Sequence, residues 1–99
     1  MSLSQSQVLL PGEDLVAIGL ADLAQDRVTE LSLLVLIAAP RLRRLGVQIP
    51  ERAHPRPCEH ELYDRLESRL GAGAHSYYNS LIRRIVSYAR ILESEQSAR

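Results

Sequence analysis

Residues 31–39, LSLLVLIAA, are the one stretch of the chain in which apolar residues follow one another almost without interruption. Only Ser32 breaks the run, so an element built from it has little polar surface and must be covered on nearly all sides. Leu and Ala outnumber the β-branched residues, and Thr29 followed by Glu30 offers a helix N-cap with an acid in the first turn. The pattern predicts a helix from about Glu30 at the centre of the fold.

Pro40 directly follows this run and is predicted to break the central helix or to kink it sharply. Its ring would clash with the carbonyl group of Leu36, and it biases Ala39 away from helical backbone angles. Because proline suits the first position of a helix, residues 40–46, PRLRRLG, are predicted to form a separate short helix that stops at Gly46.

A helix before the central run is predicted to begin near residue 11. Val16, Leu20, Leu23 and Ala24 recur at helical spacing and are predicted to form its inward face. Gly19 lies on the same stripe, where a glycine costs about 1 kcal/mol of helix propensity relative to alanine. We therefore expect Gly19 to mark a close approach to the central helix.

Two further helices are predicted in the second half of the chain. Leucines recur every four residues within 59–70, and an apolar stripe of helical period continues through 76–93. This stripe, which includes Ile82 and Val86, is predicted to be an ordinary core face. The sequence therefore predicts an all-α fold, a compact bundle of four main helices plus one short helix after Pro40. The predicted boundaries are a disordered segment at 1–10, a single helical domain at 11–94 and a frayed tail at 95–99.

The last predicted helix carries a second stripe beside its core-facing one. Tyr77, Arg84, Tyr88 and Ile91 follow one another at steps of seven, four and three, which places them on one flank of the helix. Tyr and Arg are enriched at protein interfaces. We predict that this stripe is a partner interface, used in a homodimer or with another protein. The alternative is that another segment of the same chain covers it.

Charge alternates along the chain although the formal total is zero. Residues 1–40 hold five acids and one arginine, whereas residues 41–57 hold five arginines and one acid. Oppositely charged elements are therefore expected to lie side by side. A sharper alternative is that the segment 41–56 contacts an anion or nucleic acid through Arg41, Arg43, Arg44, Arg52 and Arg56.

The proline-rich loop before the leucine helix leads into residues of metal-binding type, His54, Cys58 and His60. A structural zinc site needs four such ligands, so no metal and no cofactor are predicted. Instead, we expect His54 to be exposed and Cys58 to begin a helix, with Glu59 and Glu61 opposing any fall in its pKa. The i, i+2 spacing of Cys58 and His60 faces the two side chains apart, so the local sequence offers no Cys-His pair.

The function expected from these observations is a small soluble helical protein-interaction module that self-associates and is not an enzyme. A small nucleic-acid-binding or regulatory protein is the alternative. The apolar run is shorter than the about 20 residues that a bilayer requires, so no membrane contact is expected. The N-terminal sequence MSLSQSQVLL lacks the positive region of a secretory signal, and a cytoplasmic location is therefore predicted.

Overall fold

The structure is a computed structural model that describes residues 10–52 and 54–97 of the 99-residue chain. Within these ranges all regular structure is helical, which confirms the predicted all-α bundle. The α-helices, in chain order, are α1 (Glu13–Ala24), α2 (Glu30–Arg44), α3 (Cys58–Leu70) and α4 (Ala74–Ser97), with a 3₁₀ turn at Gly71–Gly73. The predicted disordered segment lies outside the described residues except for Leu10. Residues 95–97 of the predicted frayed tail are helical, and residues 98–99 are outside the described ranges.

α2 packs against all three other α-helices and begins where the sequence predicts. Thr29 Oγ1 accepts a hydrogen bond from the Ser32 amide at 3.1 Å, and Ser32 Oγ accepts one from the Thr29 amide at 2.8 Å. This capping box satisfies two amides that the helix itself leaves without partners. The Thr29 hydroxyl also donates to Asp22 Oδ2 at 2.7 Å, which joins the end of α1 to the start of α2.

The predicted break at Pro40 is wrong, because α2 continues through this residue to Arg44 as one helix. A proline inside a helix costs about 3 kcal/mol, so core packing must offset that loss. Ala39 and Leu42 on either side of it are 2% and 0% exposed. Burial of one leucine side chain contributes about 1.5–3 kcal/mol. The separate short helix expected after Pro40 is therefore the last part of α2, and it stops before Gly46 as predicted.

α1 and α3 each pack against both α2 and α4, and within the described ranges they do not contact each other. α1 meets α2 at Gly19, where an added Cβ would lie 2.5 Å from the carbonyl oxygen of Leu31. The predicted close approach at Gly19 is thus confirmed. α3 fills the valley between α2 and α4 with Leu62 and Leu66, which are both 0% exposed.

Ion pairs connect neighbouring elements of the fold. Arg69 of α3 binds Glu30 of α2 through hydrogen bonds of 2.8 and 2.9 Å. Further pairs between elements are Arg84 with Asp14 at 3.6 Å, Arg41 with Glu93 at 3.2 Å and Arg52 with Asp26 at 2.9 Å. Arg84 with Asp14 and Arg52 with Asp26 join segments of opposite net charge, as the alternating pattern predicts. Arg69 with Glu30 and Arg41 with Glu93 instead join segments of like net charge.

Candidate protein-interaction site

The start of α1 packs on the centre of the α4 stripe that is predicted to be an interface. An added Cβ on Gly12 would lie 2.5 Å from the Arg84 carbonyl oxygen and 3.1 Å from Tyr88 Cβ. The Arg84 guanidinium pairs with Asp14 in the first turn of α1. Burial raises the pKa of the Tyr88 hydroxyl, and the carboxylate of Glu13 adds to the rise. Arg84 and Tyr88 therefore contribute to packing within the chain.

Tyr77 and Ile91 lie at the two ends of the same stripe. Tyr77 is 39% exposed, and the guanidinium of Arg69 stands 5.5 Å from the centroid of its ring. Ile91 is half-buried. At 1.5 Å per residue, the two positions are about 21 Å apart along the helix. Between them, 45% of the Arg84 side chain remains exposed and Tyr88 is half-buried, so the chain itself covers the stripe only in part.

The arginines assigned to anion or nucleic-acid contact lie on α2 and on the loop that follows it. Arg43 donates hydrogen bonds of 3.1 to 3.2 Å to the carbonyl oxygens of Ile49 and Pro50, which holds the start of the loop against α2. Three others pair with carboxylates: Arg41 with Glu93, Arg52 with Asp26, and Arg56 with Glu61 and Asp64. Arg44 is exposed on the last turn of α2. Each of these carboxylates offsets part of the positive charge that a phosphate would meet.

His54 is not exposed as the sequence suggested. Only 17% of its side chain is exposed, and its Nε2 lies 3.9 Å from Glu61 Oε1. The loop folds back over the connection between α1 and α2, where His54 and Arg52 line a cavity of about 130 Å³. Arg52 fixes this part of the loop by donating to the Leu23 carbonyl oxygen at 3.1 Å. These long-range contacts, rather than the local loop sequence, bury the imidazole.

Cys58 begins α3 as predicted and is half-buried. Burial raises the pKa of its thiol, and the carboxylates of Glu59 and Glu61 raise it further. His60 points from the first turn of α3 into an exposed position. Within residues 10–52 and 54–97, no three His, Cys, Asp or Glu side chains come close enough to share a metal ion. The arrangement therefore favours a neutral, unreactive thiol.

An apolar groove of about 280 Å³ runs between the C-terminal half of α2 and the middle of α4. Its walls are formed by Ile37, Ala38 and Pro40 of α2 and by Ile82, Ile85, Val86 and Ala89 of α4, with Arg41 and Arg44 at the α2 edge. Ile37, Ile82 and Val86 are half-buried, so each keeps part of its apolar surface uncovered. We call this feature the α2–α4 groove.

The α2–α4 groove exists because α3 is shorter than the two helices it packs against. α3 begins only at Cys58, which lies with Ala39 and Pro40 around one shared depression of the surface. α2 continues past this point to Arg44, and α4 continues to Ser97. The groove is thus the unfilled continuation of the valley that α3 occupies. A second helix placed there would contact the same two walls.

The sequence interpretation missed this groove because it assigned Ile82 and Val86 to an ordinary core face. A signal was nevertheless present in the lengths of the apolar stripes. The stripe of α4 from Tyr78 to Leu92 spans about 21 Å, whereas the leucines of α3 from Leu62 to Leu70 span about 12 Å. When the apolar stripe of one helix is longer than that of the helix packed on it, part of the longer stripe remains for another partner to cover.

Comparison of the chain with protein-family models, with curated proteins and with solved structures finds no match. Among residues 10–52 and 54–97, every helix is too short or too polar to span a bilayer.

Proposed function

We propose that this protein is a protein-interaction module that binds a helix of a partner protein in the α2–α4 groove. The observation that supports this best is the half-buried state of Ile37, Ile82 and Val86 on facing walls. An apolar side chain that is still partly exposed gains stability when a partner removes the rest of its surface from water. An amphipathic helix laid into an apolar groove is a recurrent mode of protein recognition.

The packing of α3 supports the proposal that the groove binds a helix. α3 inserts Leu62 and Leu66, which are four residues apart, into the part of the same valley that adjoins the groove. A partner helix with apolar residues at the same spacing would extend that packing. Each buried Val, Leu or Ile side chain contributes about 1.5–3 kcal/mol, and association costs offset much of this gain. The groove therefore suits binding of moderate affinity.

Selection from a displayed library of helical peptides, with the full chain as bait, tests this proposal. Enriched peptides should carry apolar residues at i, i+3 or i+4, and i+7. Their affinity should fall about tenfold or more for Val86→Gln and for Ile37→Gln, since each change removes one apolar wall contact. Ile18→Gln is the matched control, because Ile18 is 51% exposed on α1 outside the groove.

Two results would contradict the proposal that the α2–α4 groove is the docking face. One is enriched peptides that bind Val86→Gln and Ile37→Gln as tightly as the unmodified protein. The other is loss of binding in Ile18→Gln alone. Far-ultraviolet circular dichroism and thermal midpoints confirm that each variant is folded before its affinity is interpreted.

Self-association through the partly exposed α4 stripe is a second candidate. The 39% exposure of Tyr77 and the half-buried state of Ile91 support it. In a two-fold contact each residue would meet its counterpart or a near neighbour. Light scattering coupled to gel filtration should then show a dimer that Ile91→Glu dissociates. A monomer at high micromolar concentration, or a dimer that tolerates Ile91→Glu, would exclude this candidate.

The proposal includes no catalytic activity and a cytoplasmic location. The single cysteine is a half-buried free thiol with a raised pKa, which suits a reducing compartment and offers a poor nucleophile. Nucleic-acid binding through Arg41, Arg43, Arg44, Arg52 and Arg56 is less favoured, since four of the five are engaged within the chain.

A further inference from the structure

We propose that the α2–α4 groove selects an acidic amphipathic helix, one whose apolar stripe is flanked by Asp or Glu. This inference rests on the proposed function and adds the chemistry of the partner. It follows from the charges around the groove, from the nature of the helix that already fills the neighbouring part of the valley, and from the cost of pairing two copies of the groove.

The edges of the groove are basic. On the α2 side, Arg44 is exposed on the last turn. On the α4 side, Arg83 and Arg90 are exposed, and they lie three residues before and four residues after Val86 on the adjoining face of the helix. Arg41 pairs with Glu93 at 3.2 Å, so this pair adds no net charge. A helix seated between these edges would have its flanks beside three cationic side chains.

α3 shows which type of helix this valley already accepts. Its buried face consists of leucines, and its remaining surface carries more acids than arginines: Glu59, Glu61, Asp64 and Glu67 against Arg65 and Arg69. Glu59 is close enough to α4 to raise the pKa of the Tyr78 hydroxyl, although burial contributes more to that rise. The buried leucine stripe of α3 is what the occupied part of the valley shares with the proposed partner. An ion pair of Arg69 with Glu30 joins α3 to one wall, and its acids Glu61 and Asp64 pair with Arg56, so the preference for acids rests on the basic edges of the unoccupied part.

A second copy of the chain fits the groove poorly. In a two-fold contact of groove against groove, each patch meets itself. Arg83 and Arg90 of one copy would then approach the same arginines of the other, and like charges at an interface oppose association. Duplex nucleic acid would satisfy the arginines but would leave the apolar walls uncovered. An acidic amphipathic helix satisfies both requirements.

The test uses three labelled peptides of about 18 residues, or five helical turns, that share one Leu stripe. Their flanking positions are all Glu, all Gln or all Lys. Fluorescence anisotropy with the full chain should show that the Glu peptide binds about tenfold or more tighter than the Gln peptide at about 0.02 M salt, and that the difference shrinks at about 0.5 M. The Lys peptide should bind most weakly.

The triple variant Arg44→Gln, Arg83→Gln, Arg90→Gln should lose the preference for Glu while keeping its affinity for the Gln peptide. Arg27→Gln is the control for removal of a charge, because Arg27 lies in the connection between α1 and α2. Equal affinity for the Glu and Gln peptides, or a preference that survives the triple variant, would overturn the inference and leave the groove as a docking site. If no peptide binds, or if duplex DNA displaces the Glu peptide at micromolar concentration, the proposed function fails as well.

Discussion

Gly19 of α1 lies so close to the backbone of Leu31 in α2 that a Cβ at position 19 would be 2.5 Å from the Leu31 carbonyl oxygen. The same Cβ would be 2.5 Å from Cγ2 of Val35. A helix backbone cannot move aside as the end of a flexible side chain can. Gly19→Ala is therefore expected to push α1 away from α2 and to lower the free energy of unfolding by about 1–3 kcal/mol, despite the better helix propensity of alanine.

Urea unfolding measures this effect, and Gly73→Ala provides a matched control. A Cβ at position 73 would have Leu70 Cβ as its nearest neighbour at 4.0 Å, which is ordinary contact. The free energy of unfolding of Gly73→Ala should stay within about 0.5 kcal/mol of that of the unmodified protein. A Gly19→Ala protein as stable as Gly73→Ala would show that α1 and α2 do not approach as closely as described.

Local signals account for the parts of the fold that the sequence predicted correctly. The Thr29 cap depends on residues within one helical turn, and the close approach at Gly19 follows from its place on an apolar stripe. Pro40 and His54 were misjudged because tertiary contacts decide them. Burial of Ala39 and Leu42 keeps α2 continuous through Pro40, and folding of the loop over the α1–α2 connection covers His54.

The candidate site was harder to predict than the fold. The apolar period of α4 is visible in the sequence, but the sequence does not state which neighbour covers which turn. Arg84 and Tyr88 were assigned to an interface, and the start of α1 packs on them. Ile82 and Val86 were assigned to the core, and they remain half-buried because α3 begins only at Cys58. Which residues of α4 are covered depends on the relative lengths and positions of the helices, which are tertiary properties.

Cys58 is expected to react slowly with alkylating reagents. Burial, and then the carboxylates of Glu59 and Glu61, raise its pKa, so less thiolate is present at any given pH than for an ordinary cysteine. The pH profile of iodoacetamide alkylation should have its midpoint above that of a free cysteine. Glu59→Gln and Glu61→Gln should each shift the midpoint downward. A midpoint below that of free cysteine would instead indicate an activated thiol.

Arg43 and Arg44 are adjacent arginines with different expected roles. Arg43 donates to the carbonyl oxygens of Ile49 and Pro50, so Arg43→Gln should lower the free energy of unfolding by about 1–3 kcal/mol. Arg44 is exposed, and Arg44→Gln should change the free energy of unfolding by no more than about 0.5 kcal/mol. Urea unfolding distinguishes the two variants.

The same pair of variants tests the nucleic-acid alternative. Neither the unmodified protein nor either variant should bind duplex DNA or RNA more than weakly at low salt. Micromolar binding that falls steeply with salt and is lost in both variants would favour phosphate contact by these arginines instead.

Methyl chemical shifts on binding of a library-selected peptide test the central claim most directly, because they report which surface of the folded chain is covered. With isoleucine and valine methyl groups labelled, the largest changes are predicted at Ile37, Ile82 and Val86 on the walls of the α2–α4 groove. Ile18, on the outer face of α1, should not shift. Changes confined to Ile91 or Ile18, with the groove methyl groups unmoved, would contradict the claim that the groove is the docking face.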